Sequence, residues 1–119
     1  MLNLDTHILV HALADSLRPA ERELLRNDQW SISAIVLWEL AKLSQLGRID
    51  LDPDSADLSR ILSRIHLWPI DWEVCRRIKD LDFRADPADE LIAATSIVHG
   101  IPLVTRDRTI RGSKIVPLA

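Results

Sequence analysis

The sequence predicts an α/β fold, a three-layer α/β/α sandwich built on a short, mainly parallel sheet, and three observations carry that prediction. Short apolar segments alternate along the chain with longer stretches of helical periodicity, the pattern of successive β-α units. The stretch from Asp86 to Asp107, DPADELIAATSIVHGIPLVTRD, reads as one helix, one turn and one strand with carboxylates at both far ends. The chain has 119 residues, 47% of them hydrophobic, enough for one buried core and too few for two, so residues 1–119 are expected to form a single domain. No internal repeat, low-complexity segment or linker interrupts it.

Met1 to Asp5 is a short apolar segment ending in an acid, and Thr6 to Ala14 continues as an apolar-rich helix, the start of a β-α unit. Asp5 then stands where strand becomes helix, a position that open parallel sheets use for ligands. A helix cap is the simpler account of Asp5 taken alone. Pro19 to Arg26 is a second helix whose mixed charges read as a solvated face. Trp30 to Ser33 is a brief strand, and Ser33 caps a helix that runs through AIVLWELAKLSQL to a stop at Gly47. The first half of that helix is apolar nearly all round and is expected to be largely buried. Glu39 lies in its middle, where an unpaired carboxylate is costly. A pair with Lys42, three residues on, is one remedy, and a metal is the other.

Asp52-Pro53 signals the cap and first turn of a helix to about His66, packed through Leu58, Ile61, Leu62 and Ile65. His66 to Ile70 is a candidate third strand whose proline places it at a sheet edge. Asp71 caps a helix from Trp72 to Leu81, and Phe83 to Asp86 connects it to the next. There Asp86 and Pro87 form another cap-and-proline pair, with the Asp86 oxygen expected to take a free backbone N–H. Leu91, Ile92, Ala94, Thr95 and Val98 sustain the helical face until Gly100 lets the chain turn, and Ile101 to Thr105 is a short buried strand. From Asp89 to His99 the helix climbs about 15 Å, and from Ile101 to Arg106 the strand returns about 16 Å. Asp107 is therefore expected level with Asp89. Arg108 to Ser113 reads as a loop, and Lys114 to Pro117 as a short last strand at an edge.

The lone cysteine, Cys75, rules out an internal disulfide and fits a reducing cytoplasm, and its place early in a helix points to packing. No apolar run approaches the roughly 20 residues of a membrane span, and the N-terminus lacks the basic and apolar regions of a signal peptide. A soluble, cytoplasmic protein is expected. The net charge of −3 neither favours nor excludes nucleic acid, because acids gathered in a pocket coexist with basic residues around its rim.

Four acids, Asp5, Glu39, Asp89 and Asp107, reach one end of the sheet by separate local arguments. Each alone has a structural explanation; Asp89, for instance, satisfies the preference for an acid in a first helical turn. Together they converge more than capping requires. Four close carboxylates repel one another unless a cation sits among them, and oxygen-only ligands favour Mg²⁺ or Mn²⁺. His7 and His11 have the spacing of half a zinc site but no glutamate base between them and no nearby cysteine, so they read as ordinary helix residues. Trp38 and Trp68 read as core, and base stacking or a partner surface is the second reading of all four tryptophans. Arg106, Arg108, Arg111 and Lys114 lie beside Asp107, as a positive rim for a phosphodiester backbone or as a solvated loop.

LDTHIL with Asp5, the WELAKL helix with Glu39, DPADELIAAT with Asp89 and PLVTRD with Asp107 together resemble a PIN domain over the whole chain. More narrowly, they resemble the VapC-type toxins of bacterial toxin-antitoxin modules. The resemblance implies a PIN-like fold and an endoribonuclease dependent on Mg²⁺ or Mn²⁺, with Asp5, Glu39, Asp89 and Asp107 as the metal-binding quartet. It implies that Thr105 orients the last acid, that Asp86 is an accessory acid or cap, and that the partners are RNA, a cognate antitoxin and a second copy in a homodimer. Many relatives carry arginine after the third acid, where this chain has Glu90. Two other functions compete. A phospho-acceptor receiver domain would need a lysine ending its last strand, and Val116-Pro117 offers none; a catalytically silent PIN-like binding module would keep the shape without the cleavage.

Overall fold

A computed structural model describes residues 1–119. Four strands, β1 (Leu2–Leu4), β2 (Trp30–Ser33), β3 (His66–Trp68) and β4 (Leu103–Val104), form one sheet in the order β3-β2-β1-β4, with every pairing parallel. Seven α-helices cover it: α1 (Thr6–Leu13), α2 (Pro19–Arg26), α3 (Ala34–Gln45), α4 (Ala56–Ser63), α5 (Trp72–Arg76), α6 (Pro87–His99) and α7 (Arg108–Arg111). The expected α/β class and parallel sheet are both present. One core joins Leu4, Ile8, Ile32, Val36, Ile92 and Leu103, all essentially without exposure.

The strand order explains where the site lies. The chain steps from β1 outward through β2 to β3, then returns to lay β4 on the other side of β1. Connections therefore leave β1 and β4 in opposite directions, opening a crevice outside their carboxyl ends. Asp5 ends β1, and Thr105 to Asp107 end β4. Asn3, buried within β1, donates through Nδ2 to Ile92 O at 3.1 Å and to Ser96 Oγ at 2.9 Å. Those bonds fix α6, and with it Asp89, against the strand that carries Asp5.

Several expected boundaries move. The helix expected from Asp52 begins at Ala56, because Ser55 supplies the cap by accepting from Leu58 N at 3.3 Å. Asp52 Oδ1 instead accepts from Asp54 N at 2.9 Å, so the Asp-Pro signal serves a turn. No residue of α4 is fully buried and Ile61 is exposed, while Leu62 and Ile65 do reach the core. β3 lies at the sheet edge as expected but stops at Trp68, before Pro69. The helix expected over Trp72–Leu81 ends at Arg76 and continues as a 3₁₀ turn, Arg77–Asp80, where side chains three apart eclipse and Arg77 pairs with Asp80 at 2.9 Å. The loop expected after Asp107 is instead α7, and the last strand shrinks to a single bridge between Leu118 and Leu103. In α3 only Val36 and Leu40 are buried, and Trp38 is 59% exposed. That helix is amphipathic, with one face turned to solvent.

Candidate functional site

Asp5 is buried at the top of β1 with both carboxylate oxygens engaged: Oδ1 accepts from Thr6 N at 2.8 Å and Oδ2 from the Thr105 hydroxyl at 2.6 Å. Each oxygen keeps a second acceptor position. The Thr6 hydroxyl donates to Glu39 Oε1, so one threonine links Asp5 to the middle of α3. Lys42 does not pair with Glu39. It donates to Gln45 Oε1 at 2.8 Å, toward the exposed side of the helix.

Thr105 contacts two acids where one is expected. Its hydroxyl grips Asp5 and accepts from the Asp107 backbone N at 3.0 Å, so it positions the first acid's side chain and only the last acid's main chain. Asp107 Oδ1 accepts from Ile110 N at 3.0 Å and caps α7. Asp86 holds the cap position of α6, but its side chain makes no capping bond. Glu90 accepts from Ala85 N at 3.3 Å, and the Asp86 carboxylate has no hydrogen-bond partner.

Asp89 reveals the electrostatics of this end of the sheet. Its pKa is pushed up from 3.8 to about 6, first by burial and then by the charges of Asp5, Glu39, Asp107 and Asp86. No basic group counters them. Asp89 thus feels the charges of the other three expected acids, and of Asp86 besides. No three of these side chains are gathered tightly enough to hold an ion without adjustment. The donor set is nevertheless all carboxylate oxygen, the chemistry of a hard divalent cation.

The basic rim is thinner than expected. Arg106 is held by Glu21 through two bonds of 2.7 and 2.6 Å and touches His11 Nε2 at 3.0 Å. That bidentate pair lowers the Glu21 pKa from 4.5 to about 2. Arg106 is thereby removed from the candidate phosphate contacts. Arg111 donates to Thr105 O at 3.2 Å from an exposed position, and Arg108 and Lys114 are exposed. His7 is exposed and the His11 ring bonds Ser16 and Arg106, so the two do not make a metal pair. Trp68 stacks on His99 at 3.9 Å, whereas Trp38 and Trp72 face solvent. Sequence reasoning passed over Thr6 and Asn3. A hydroxyl beside the first acid and an amide inside an apolar strand were the available signals.

A family model described as the PIN domain matches residues 3–112. Ribonuclease VapC22 of Mycobacterium tuberculosis is 33% identical over 117 residues, covering 93% of this chain and 90% of that protein. Among solved structures, VapBC2 from Rickettsia felis bound to a promoter DNA fragment superposes with a TM-score of 0.74 at 22% identity, over 100% of this chain and 98% of that one. DNA-bound VapBC from Salmonella typhimurium also gives 0.74, at 20% identity over 99% and 96% of the two chains. A toxin-antitoxin complex from Klebsiella pneumoniae gives 0.70 at 20% identity, over 94% and 92%. At these identities the structural matches speak for the fold.

Proposed function

The chain belongs to the PIN domain family, and from that premise we propose that it is a metal-dependent endoribonuclease, the toxin of a toxin-antitoxin module. Asp5, Glu39, Asp89 and Asp107 form its acidic site, and residues 1–119 act as a single nuclease domain. The observation that supports this most is the field around Asp89, which is raised to about 6 among four other carboxylates with no basic partner. An uncompensated group of acids at a sheet's switch point is costly to keep without a cation to bind. The relative named as a ribonuclease and the neighbours titled as toxin-antitoxin complexes support the substrate class and a cognate antitoxin as partner. The protein is further proposed to work in the cytoplasm as a homodimer; no helix is long and apolar enough to cross a membrane.

Mg²⁺ or Mn²⁺, when bound, would supply a water of lowered pKa and positive charge to offset that of the phosphate. Asp5 would be the fixed ligand, because Thr6 and Thr105 each hold one of its two oxygens. Thr6 also holds Glu39, so the first two acids move together. Asp89, whose proton burial and the neighbouring acids retain in the metal-free chain, would complete the charge of the site on losing it as the cation binds. Arg108, Arg111 and Lys114 steady the RNA backbone, which the acids alone would repel.

The test is cleavage of total cellular RNA by the purified chain with Mg²⁺, with Mn²⁺ and with EDTA, beside Asp5→Asn. Discrete products that disappear with EDTA and in the variant are expected. Cleavage that persists in both controls refutes the site, and folded protein inactive under every metal favours the silent binding module.

A further inference from the structure

Trp38 belongs to neither the core nor the acid site, yet it shares a hollow with Glu39 and Asp86. It is 59% exposed on α3, immediately before Glu39, and faces the start of α6 across a hollow of about 470 Å³. Ile35, Trp38, Glu39, Asp86, Pro87 and Ala88 line that hollow. Glu39 belongs to both the hollow and the acid site, so the two are continuous. The lining has a flat apolar surface from Trp38 and Pro87, two carboxylates and no cation. Such a lining repels phosphate and accepts an uncharged planar group.

We propose that the hollow beside Trp38 receives an amino-bearing nucleobase of a single-stranded RNA substrate, stacked on the indole next to the scissile phosphodiester. The inference rests on the ribonuclease reading above and adds a base subsite to it. Stacking needs an unpaired base, since a base in a duplex has both faces covered. Asp86 supplies the selectivity. Its carboxylate makes no capping bond to α6, and a free carboxylate accepts from an exocyclic amine such as cytosine N4. Uracil has no such amine. The acids therefore have two roles along one strand, holding the cation at the phosphate and reading the base beside it.

The experiment uses the full chain with Ca²⁺, an oxygen-seeking ion tolerant of irregular ligand sets, and fluorescein-labelled single-stranded decamers of cytidine and of uridine. Binding is followed by anisotropy for wild type, Trp38→Ala, Trp38→Phe and Asp86→Asn, with total-RNA cleavage and sedimentation measured in parallel. Trp38→Ala is expected to weaken cytidine-decamer binding by roughly 5- to 100-fold, and Trp38→Phe to retain most of it. Wild type is expected to prefer cytidine over uridine, and Asp86→Asn to lose that preference. Equal binding by Trp38→Ala in a protein that still cleaves RNA overturns the subsite and leaves the ribonuclease reading standing. A Trp38→Ala variant that binds RNA normally but sediments as a smaller species overturns it in favour of an interface between copies. Wild type that neither binds nor cleaves RNA overturns the reading and this inference with it.

Discussion

A single carboxylate, Glu21, and a group of five stand near the carboxyl end of β4, and the chain treats them in opposite ways. Glu21 receives a forked guanidinium from Arg106 and its pKa falls to about 2. Asp89 forms no ion pair, and burial and the charges of four other acids raise its pKa to about 6. The residue types are nearly the same, and the difference is the origin of the compensating charge. The Glu21 pair is complete within the chain and serves to tie α2 to the segment after β4. The Asp89 group forms no ion pair within the chain, which is what the proposed cation site requires.

That comparison is open to attack at several points, beginning with the largest effect. Asp5→Asn or Asp89→Asn should lower RNA cleavage by on the order of 10³ or more, because each removes a ligand charge with little change of shape. In metal-free buffer at pH 7, Asp89→Asn should also stabilise the fold by about 1 kcal/mol, since it relieves repulsion. Thermal melts beside the cleavage assay test the pair of outcomes, and a destabilised Asp89→Asn would show that the acid is a structural group like Glu21. Thr105→Val should cut cleavage by about 10- to 100-fold while retaining the fold, because it removes the hydroxyl that aims Asp5. Steady-state cleavage rates of Thr105→Val and Thr105→Ser check this, with Ser expected to recover activity.

Arg106→Ala should do the reverse, destabilising the chain by about 1–2 kcal/mol in denaturant titration with far less effect on cleavage. A loss of activity comparable to that of Asp5→Asn would erase the distinction between the two groups. The smallest effect is on the pH profile of metal-free stability. Asp89 holds its proton more tightly folded than unfolded, so its contribution is lost as pH rises from about 4 to about 6. Glu21 holds its proton less tightly folded, so its contribution is present above about 4.5 and lost as pH falls toward 2. Melting temperatures across this range should rise to a maximum near pH 4 to 5, and Mg²⁺ should lift the neutral side selectively.

The parts of this structure that were legible in the sequence are those governed by local rules. Ser33 caps α3, Gly100 takes a left-handed φ of 63° to end α6, and Asp5 and Asp107 sit at junctions that short-range patterns mark. Asp89 could be placed level with Asp107 because helix rise and strand rise are fixed by backbone geometry. What escaped depended on contacts between distant segments. Arg106 reads as a free cation until α2 brings Glu21 to it, 85 residues away in sequence. Trp38 reads as core because the first half of α3 is apolar nearly all round, and the packing of α6, α1 and β2 against it decides which face is left open. Thr105 was expected to orient the nearest acid in sequence, whereas its hydroxyl bonds Asp5 across the β1-β4 pair. Asp52-Pro53 and Asp86-Pro87 carry the same local signal, and the first closes a turn while the second opens a helix.

The most direct test of the acid group as a cation site is a calorimetric titration of Mn²⁺ into the metal-free chain and into Asp89→Asn, each at pH 5.5 and pH 7. Wild type is predicted to bind Mn²⁺, to release more protons at pH 5.5 than at pH 7, and to bind at least tenfold more tightly than the variant. Equal affinity in the two proteins, or no binding by folded wild type at either pH, would contradict the account.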